Sequence, residues 1–568
     1  MRFTAGVSRA SCACLVLIAA CVRAPAPAAS AQAAQPVQPD ASPNANPGSS
    51  TATPSPTAPP VGDAALAWAQ LNAATFARAR AENRIVLIDG SAEWCHWCHV
   101  MDATTYRDPA VRKLLAERFL PVKVDVDARP DFEERYSDWG WPATVIMTAD
   151  AEEIGKYKGY MPPARLLEVL NAAVAAPRPM QGAAPAKATA MQGGPLTPGQ
   201  IADAAAMTQR ALDSYWDPKH GSWGDLQKVP LYWDNAWTLE QARATGTSGS
   251  DVARKRALFT LDQQRQIIDP VWGGICQYST DGDWLHPHFE KLAPYQAGAI
   301  DNYAAAFALT GDAQWLQTAQ LVRGFVDHFM TNPEGGFYAA MDADLNAHDP
   351  SKTFVSGHEY YAKGDAGRRA LGIPRVDTHE YGADNGLLIA AYVTLGQAGH
   401  DATAIAAAER AAARILATHA TDASLGGIGH AGQSDPDDAR ALYLADNASF
   451  GFALTRLYEA TARAAYLDDA KRIADFMMRE LADPSGGFFA STPDPTAVGV
   501  LAARRRPFED NVMAIRFLAR LARITPTDAY RAAIQRALAA VTTREAIDGR
   551  GRMVGDLMLA IEESRGVR

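Results

Sequence analysis

Cys95 and Cys98 are the residues of this sequence best placed to do chemistry. They stand in the string Cys95-His96-Trp97-Cys98-His99-Val100-Met101, at the point where a helical stretch begins. A thiol in the first turn of a helix meets the positive end of the helix dipole, which stabilises the thiolate and lowers its pKa. In that arrangement Cys95 is the exposed nucleophile. Cys98, one turn later, is the resolving thiol that attacks a mixed disulfide. His96 either adds positive charge beside Cys95 or points to solvent. Trp94 and Trp97 flank the pair and bury one side of it; with Trp141 they form the expected substrate-binding surface. Three other chemistries fit the same residues. The pair could be a purely structural disulfide. The string Cys95–His99 also matches the CxxCH pattern of haem attachment, although Met101 is too close to serve as the opposite axial ligand. A zinc or copper site could use Cys95, Cys98, His96 and His99, but no second ligand pair is evident nearby. No cofactor and no metal is therefore expected.

The surrounding pattern supplies the elements that must hold this pair. Trp68–Glu82 reads as helical, and residues 84–89, Arg-Ile-Val-Leu-Ile-Asp, as a short buried strand. Further strands are expected at Phe119–Asp125, Thr144–Thr148 and Ile154–Gly159, with a last helix after Pro162-Pro163. Asp89 ends the first strand six residues before Cys95, and Pro142 precedes the third strand, where a cis bond would bring backbone beside the sulfurs. A strand, a CxxC opening a helix, and then more strands is the thioredoxin layout. Residues 84–176 resemble thioredoxin and, through Tyr106-Arg107-Asp108-Pro109-Ala110-Val111, the periplasmic thioredoxin-type domain of disulfide-reducing membrane transporters. That resemblance implies that Asp89 is a buried carboxylate exchanging a proton with Cys98, and that Trp141–Pro142 is the cis-proline loop. The His-Trp pair between the cysteines departs from thioredoxin's own Gly-Pro.

Beyond residue 198 the pattern is helical to the end, and it repeats. Asp-Asn occurs at 234–235, 301–302, 384–385, 446–447 and 510–511, each followed by an apolar helical run. Between these lie Gly-Gly turns after Asp or Asn, at Gly273-Gly274, Gly335-Gly336, Gly426-Gly427 and Gly486-Gly487. Asp-Asn reads as a helix start through its capping side chains, and the glycines as stops. Repeated hairpins of this length close into an all-α (α/α)6 toroid, with a sixth inner helix starting near Gly555-Asp556. The string His286-Pro287-His288-Phe289-Glu290-Lys291, with the complete CHWCHVM motif at 95–101, resembles the spermatogenesis-associated protein 20 family. Gly335-Gly336-Phe337-Tyr338 with Asp342-Ala343-Asp344 fits the same pattern, whereas Leu292-Ala293-Pro294-Tyr295 departs from it. The family joins a thioredoxin-like domain to a six-hairpin toroid that resembles glycosidases and sugar epimerases. The resemblance implies an acid/base site where the inner helices begin, with His286, His288, Glu290 and Asp301 as the leading candidates and Asp342, Asp344, Asp446 and Asp510 beside them. Most Asp-Asn pairs are expected to be caps rather than catalytic groups. Cys276, a lone thiol, is expected to be a buried small hydrophobe.

The 568 residues carry 54 Lys and Arg against 64 Asp and Glu, a net charge of −10, and show no basic stripe, so nucleic acid is not an expected partner. No apolar run reaches the roughly 18 residues that a membrane-spanning helix needs. Residues 1–21 read as a signal peptide whose end, Ile18-Ala19-Ala20-Cys21, resembles a lipobox with Cys21 as the lipidated residue. Val22 after it favours the outer membrane of a Gram-negative bacterium, so the lipid anchor would be the sole membrane contact of a periplasmic protein; the rival reading is ordinary cleavage near Ala-Ala-Ser-Ala-Gln at residues 28–32, which gives a soluble periplasmic protein. Residues 22–62, rich in Ala, Pro, Ser and Thr, read as a disordered tether, 63–176 as the thioredoxin-like domain, 177–197 as a linker and 198–568 as the toroid. The expected function is that of a thiol–disulfide oxidoreductase of the cell envelope acting on protein dithiol and disulfide clients. Two alternatives stand beside it: a carbohydrate-active or carbohydrate-binding toroid with an accessory thioredoxin-like domain, and a non-catalytic scaffold.

Overall fold

The computed structural model describes residues 66–137, 140–180, 196–244, 248–349, 351–422, 424–433 and 441–567. The expected signal peptide, Cys21 and the tether lie outside these residues, as do most of the 177–197 linker and the pair Asp138–Trp139. All described residues belong to one compact unit.

The first domain runs α1 (Ala73–Ala81), β1 (Ile85–Ser91), α2 (His96–Ala103), α3 (Pro109–Arg118), β2 (Phe119–Asp125), α4 (Pro130–Tyr136), β3 (Ala143–Met147), β4 (Glu153–Lys158) and α5 (Pro163–Ala175). The strands form one sheet in the order β2-β1-β3-β4; β1 is parallel to β2, and β3 is antiparallel to both β1 and β4. The alternation of strand side chains divides β1 between two cores. Val86 and Ile88 face one, with Phe76 and Phe132, while Leu87 faces the other, with Met101, Leu115 and Leu170. The expected helix over Trp68–Glu82 begins late. Ala69 instead bridges Val122 of β2, and Asn72 caps α1 by accepting from the Thr75 N–H. The Trp141–Pro142 bond is cis, immediately before β3.

The second domain contains α6 (Pro198–Ser214), α7 (Tyr232–Arg243), α8 (Ser248–Gln264), α9 (Ala293–Thr310), α10 (Ala313–Phe329), the short α11 (Gly357–Tyr361) and α12 (Asp365–Leu371), then α13 (Gly382–Gly399), α14 (Ala402–Thr418), α15 (Leu444–Thr461), α16 (Ala464–Phe476), α17 (Phe508–Ile524), α18 (Asp528–Val541), the short α19 (Arg544–Arg550) and α20 (Gly555–Arg565). Helices α7, α9, α13, α15, α17 and α20 pack on one another in that order, and α20 returns to α7, closing the ring. Each carries an outer partner, α8, α10, α14, α16, α18 and α6. Sequence follows position. An outer helix buries one stripe, as in α14 with Ala404, Ala408, Ala411, Ala412 and Ile415, while inner α13 is apolar almost all round because both neighbours and its outer partner surround it. Small residues let inner helices approach: a Cβ at Gly386 would sit 2.5 Å from the Ser449 backbone of α15.

The two sequence repeats are halves of one clamp, not separate start and stop signals. Asn385, Asn447 and Asn511 each bond both backbone groups of the residue after a Gly-Gly turn, respectively Phe337, Ile428 and Phe488, and also a carbonyl at the start of their own helix. Gln296 does the same to Ile275 after Gly273-Gly274, so α9 takes its clamp from Gln296 and not from the expected Asn302. The Asp of each pair is the third residue of α7, α13, α15 and α17 rather than a cap of its own helix. Two of these aspartates cap a neighbour instead: Asp446 accepts from the Ala383 N–H of α13, and Asp234 from the Gly555 N–H of α20. Asp301 and Asn302 lie in the body of α9.

Candidate functional site

The loop after β1 delivers Cys95 to the N-cap of α2, where its sulfur accepts from the Cys98 N–H at 3.2 Å. Cys95 and Cys98 are joined as a disulfide. Both are buried, at 4% and 3% exposure, which corrects the expectation of an exposed nucleophile. The cover comes partly from the toroid: Leu292 and Ala340 pack into the same apolar cluster as the two cysteines, Trp94 and Trp141.

Behind the pair, Asp89 is buried on β1 between Lys123 of β2 and Thr144 of β3. Burial pushes its carboxyl up to about 7, only partly offset by Lys123, whose Nζ lies 3.8 Å away and bonds Asp102 at 2.5 Å. The Tyr106 hydroxyl beside it is pushed well up, first by burial and then by the Asp89 charge. A carboxyl that titrates near neutrality within the protein core can give or take a proton at physiological pH.

In front of the pair, toroid loops close on α2. The Nδ1 of His96 lies 2.5 Å from Asp344 Oδ2, and the His96 N–H points to Glu290 Oε1 at 3.4 Å. Burial opposes charging either partner, but the contact outweighs it, raising His96 above its ordinary value and holding Asp344 well below the usual carboxylate range. His99 Nε2 lies 2.9 Å from the Glu93 carbonyl and 3.7 Å from Asp342. Trp97 stays 38% exposed beside Tyr160 and His288, and His288 stacks on Tyr278 with its Nδ1 3.9 Å from Glu290.

The end of β2 enters the toroid mouth nearby. Trp94 donates to Asp127 at 2.5 Å, which leaves this tryptophan buried against a carboxylate rather than open to a substrate. His430 bridges the domains, from Asp446 to the Asp127 carbonyl at 2.7 Å. Asp384 is raised to about 7 and Asp556 to about 6 by burial, and Asp510 rises well above its ordinary value for the same reason. These acids sit in the first turns of inner helices, where the dipole favours negative charge.

The candidates therefore fall into separate places. Cys95, Cys98, Trp141 and the cis Pro142 gather at one end of the sheet, with Asp89 beneath. His288 and Glu290 join them from the toroid. His286 lies half-exposed with Asp283, apart from this group, and Asp301 lines an interior cavity of the ring with Trp233, Arg456 and Arg516. Cys276 is buried, as expected, and accepts from Lys291 Nζ at 3.1 Å. Asp342 and Asp344 were legible as toroid carboxylates but not as partners of His96 and His99; His348 and His430 carried no local signal at all.

Residues 55–173 match the family Thioredox_DsbH, described as "Protein of unknown function, DUF255". Human spermatogenesis-associated protein 20 is 27% identical over 308 residues, which span 49% of this chain and 39% of the human protein. Over about half its length the chain is similar to spermatogenesis-associated protein 20. The mouse protein of that name is 26% identical over the same length, and the matched segment again spans well under half of it, 38%. Among solved structures, cellobiose 2-epimerase from Bacillus thermoamylovorans B4167 superposes with a TM-score of 0.49 at 10% identity, covering 65% of this chain and 100% of that chain. In this chain a thioredoxin-like domain is joined to the helical toroid described above.

Proposed function

We propose that the protein is a thiol–disulfide oxidoreductase of the bacterial cell envelope, anchored there through Cys21 and acting on protein dithiols or disulfides. The observation that carries this reading is the Cys95–Cys98 pair at the head of α2 with Asp89 buried behind it. In the reducing direction the Cys95 thiolate attacks a client disulfide, forming a mixed disulfide and expelling one client thiolate. Cys98 then gives its proton to the Asp89 carboxylate and attacks the Cys95 sulfur. The second client thiolate leaves, and the Cys95–Cys98 disulfide remains, so two electrons have passed to the client. The same steps in reverse oxidise a client, and the reduction potential sets which way they run. Because the toroid covers both sulfurs, a client is engaged after α2 leaves the Asp342–Asp344 loop.

The test is turnover of a model protein disulfide by the reduced full-length chain. Cys95→Ser abolishes turnover, and Cys98→Ser accumulates the mixed disulfide. Absence of any thiol exchange by the wild-type protein refutes the reading.

A second reading rests on the cavity of about 180 Å³ lined by the inner helices, where Trp233, with Arg516 stacked over its ring, and Asp301 and Glu563 supply aromatic and polar groups. These are the features that hold a small carbohydrate. Thermal stabilisation by a panel of mono- and disaccharides, lost in Trp233→Ala, supports it; no shift with any sugar refutes it.

A further inference from the structure

We propose that His99, Asp342, His348 and the Glu93 carbonyl form a site for one divalent transition-metal ion of the zinc class, built across the seam between the two domains. Four donor atoms converge there. His99 Nε2 and His348 Nε2 lie 2.9 and 2.8 Å from the Glu93 carbonyl oxygen, and 3.7 and 3.1 Å from Asp342 Oδ2. The two imidazole rings meet edge to face at 4.6 Å. Ligands about 2.1 Å from a tetrahedral zinc ion stand about 3.4 Å from one another; the four separations, 2.8 to 3.7 Å, bracket that value, and the three side-chain donor atoms all lie within 4.8 Å of one another. Two imidazoles, one carboxylate and one carbonyl suit zinc or cobalt better than calcium or magnesium, which prefer all-oxygen shells.

The groups around the donors are arranged for ligation. Asp342 is fixed through its other oxygen, Oδ1, which accepts from the Asp344 N–H at 2.9 Å and leaves Oδ2 aimed at both histidines. His99 is 9% exposed, and its Nδ1 is buried without a hydrogen-bond partner, 3.7 Å from Asp344 Oδ2. With Nε2 bound to an ion, the ring proton moves to Nδ1 and faces that carboxylate, the usual outer-shell partner of a ligating histidine. The side chain of His348 is 29% exposed, which gives an ion a route in from solvent. None of the donors is a cysteine, so the ion takes no part in the electron transfer itself. Its effect is mechanical: an ion held by His99 of α2 and by Asp342 and His348 of the toroid pins the dithiol helix under its cover.

The experiment uses the full chain without an affinity tag, stripped with chelator and titrated with Co2+ and then Zn2+. One Co2+ per chain is expected, with the intense visible bands of tetrahedral coordination, and one equivalent of Zn2+ abolishes them. His348→Ala, at a partly exposed position outside both cores, weakens Co2+ binding by about a hundredfold. His286→Ala, on the exposed turn with Asp281 and Asp283, leaves it unchanged. The absence of tetrahedral bands in the wild type, binding that survives His348→Ala unaltered, or binding lost with His286→Ala overturns the proposal.

Discussion

Asp89→Asn separates the chemistry of the buried carboxyl from its cost to the fold. The ordinary Asp value is 3.8, and burial raises Asp89 to about 7 in the folded chain. The sign follows from linkage: the folded state holds the proton more tightly, so the contribution of this group is fully present below pH 3.8 and is lost as pH rises through about 7. At about 1.4 kcal/mol for each decade of pH, the gap amounts to roughly 4 kcal/mol. Asparagine cannot ionise, so the variant escapes that loss. It matches the wild type near pH 4 and exceeds it above pH 8 by a difference on the order of 4 kcal/mol. The other raised carboxyls, Asp384 and Asp556 among them, titrate in both proteins and cancel in the comparison. Chemical denaturation of the oxidised protein across this pH range measures the difference. In thiol exchange, the same variant slows resolution of the mixed disulfide by about a hundredfold, through loss of the proton acceptor. Parallel stability curves for the two proteins would refute both the placement of Asp89 and the proton role drawn from it.

Asp344→Ala removes the acceptor of His96; losing a charge-assisted bond of about 1.5–3 kcal/mol speeds alkylation of the reduced Cys95 roughly tenfold to a hundredfold. The His96–Asp344 pair also makes the closed arrangement sensitive to pH. His96 is raised above 6.5 in the folded protein, so its contribution is present below pH 6.5 and lost as pH rises above that, which hydrogen exchange across α2 measures as faster opening. Asn447→Ala strands the Ile428 backbone N–H and carbonyl and the Tyr443 carbonyl, and lowers stability by about 4 kcal/mol in thermal unfolding, whereas a change at exposed His286 has almost no effect.

The parts of the fold legible in the sequence are those set by local rules. The strands fall within one or two residues of expectation because runs such as Ile85-Val86-Leu87-Ile88 are apolar on both faces and bounded by polar residues. The dithiol, Asp89 and Pro142 were legible because their order along the chain reflects the order of elements. The cover over the dithiol was not, since His96 and Asp344 are 248 positions apart and nothing local records the pairing. The repeat was read correctly as a repeat and wrongly as caps of the helices that carry it, since Asp234 and Asp446 cap neighbouring helices. Asp301-Asn302 copies the dipeptide without the role, and Gln296 fills the role without the dipeptide, because one extra methylene reaches the same backbone groups.

The helix that closes the ring, α20, comes last of the twelve in chain order, while the sheet bearing Cys95 and Cys98 comes first. During synthesis the early domain is complete before its lid exists. Until the toroid segment bearing Leu292, Ala340 and Asp344 has followed, the two sulfurs lack the cover that it gives them in the finished chain.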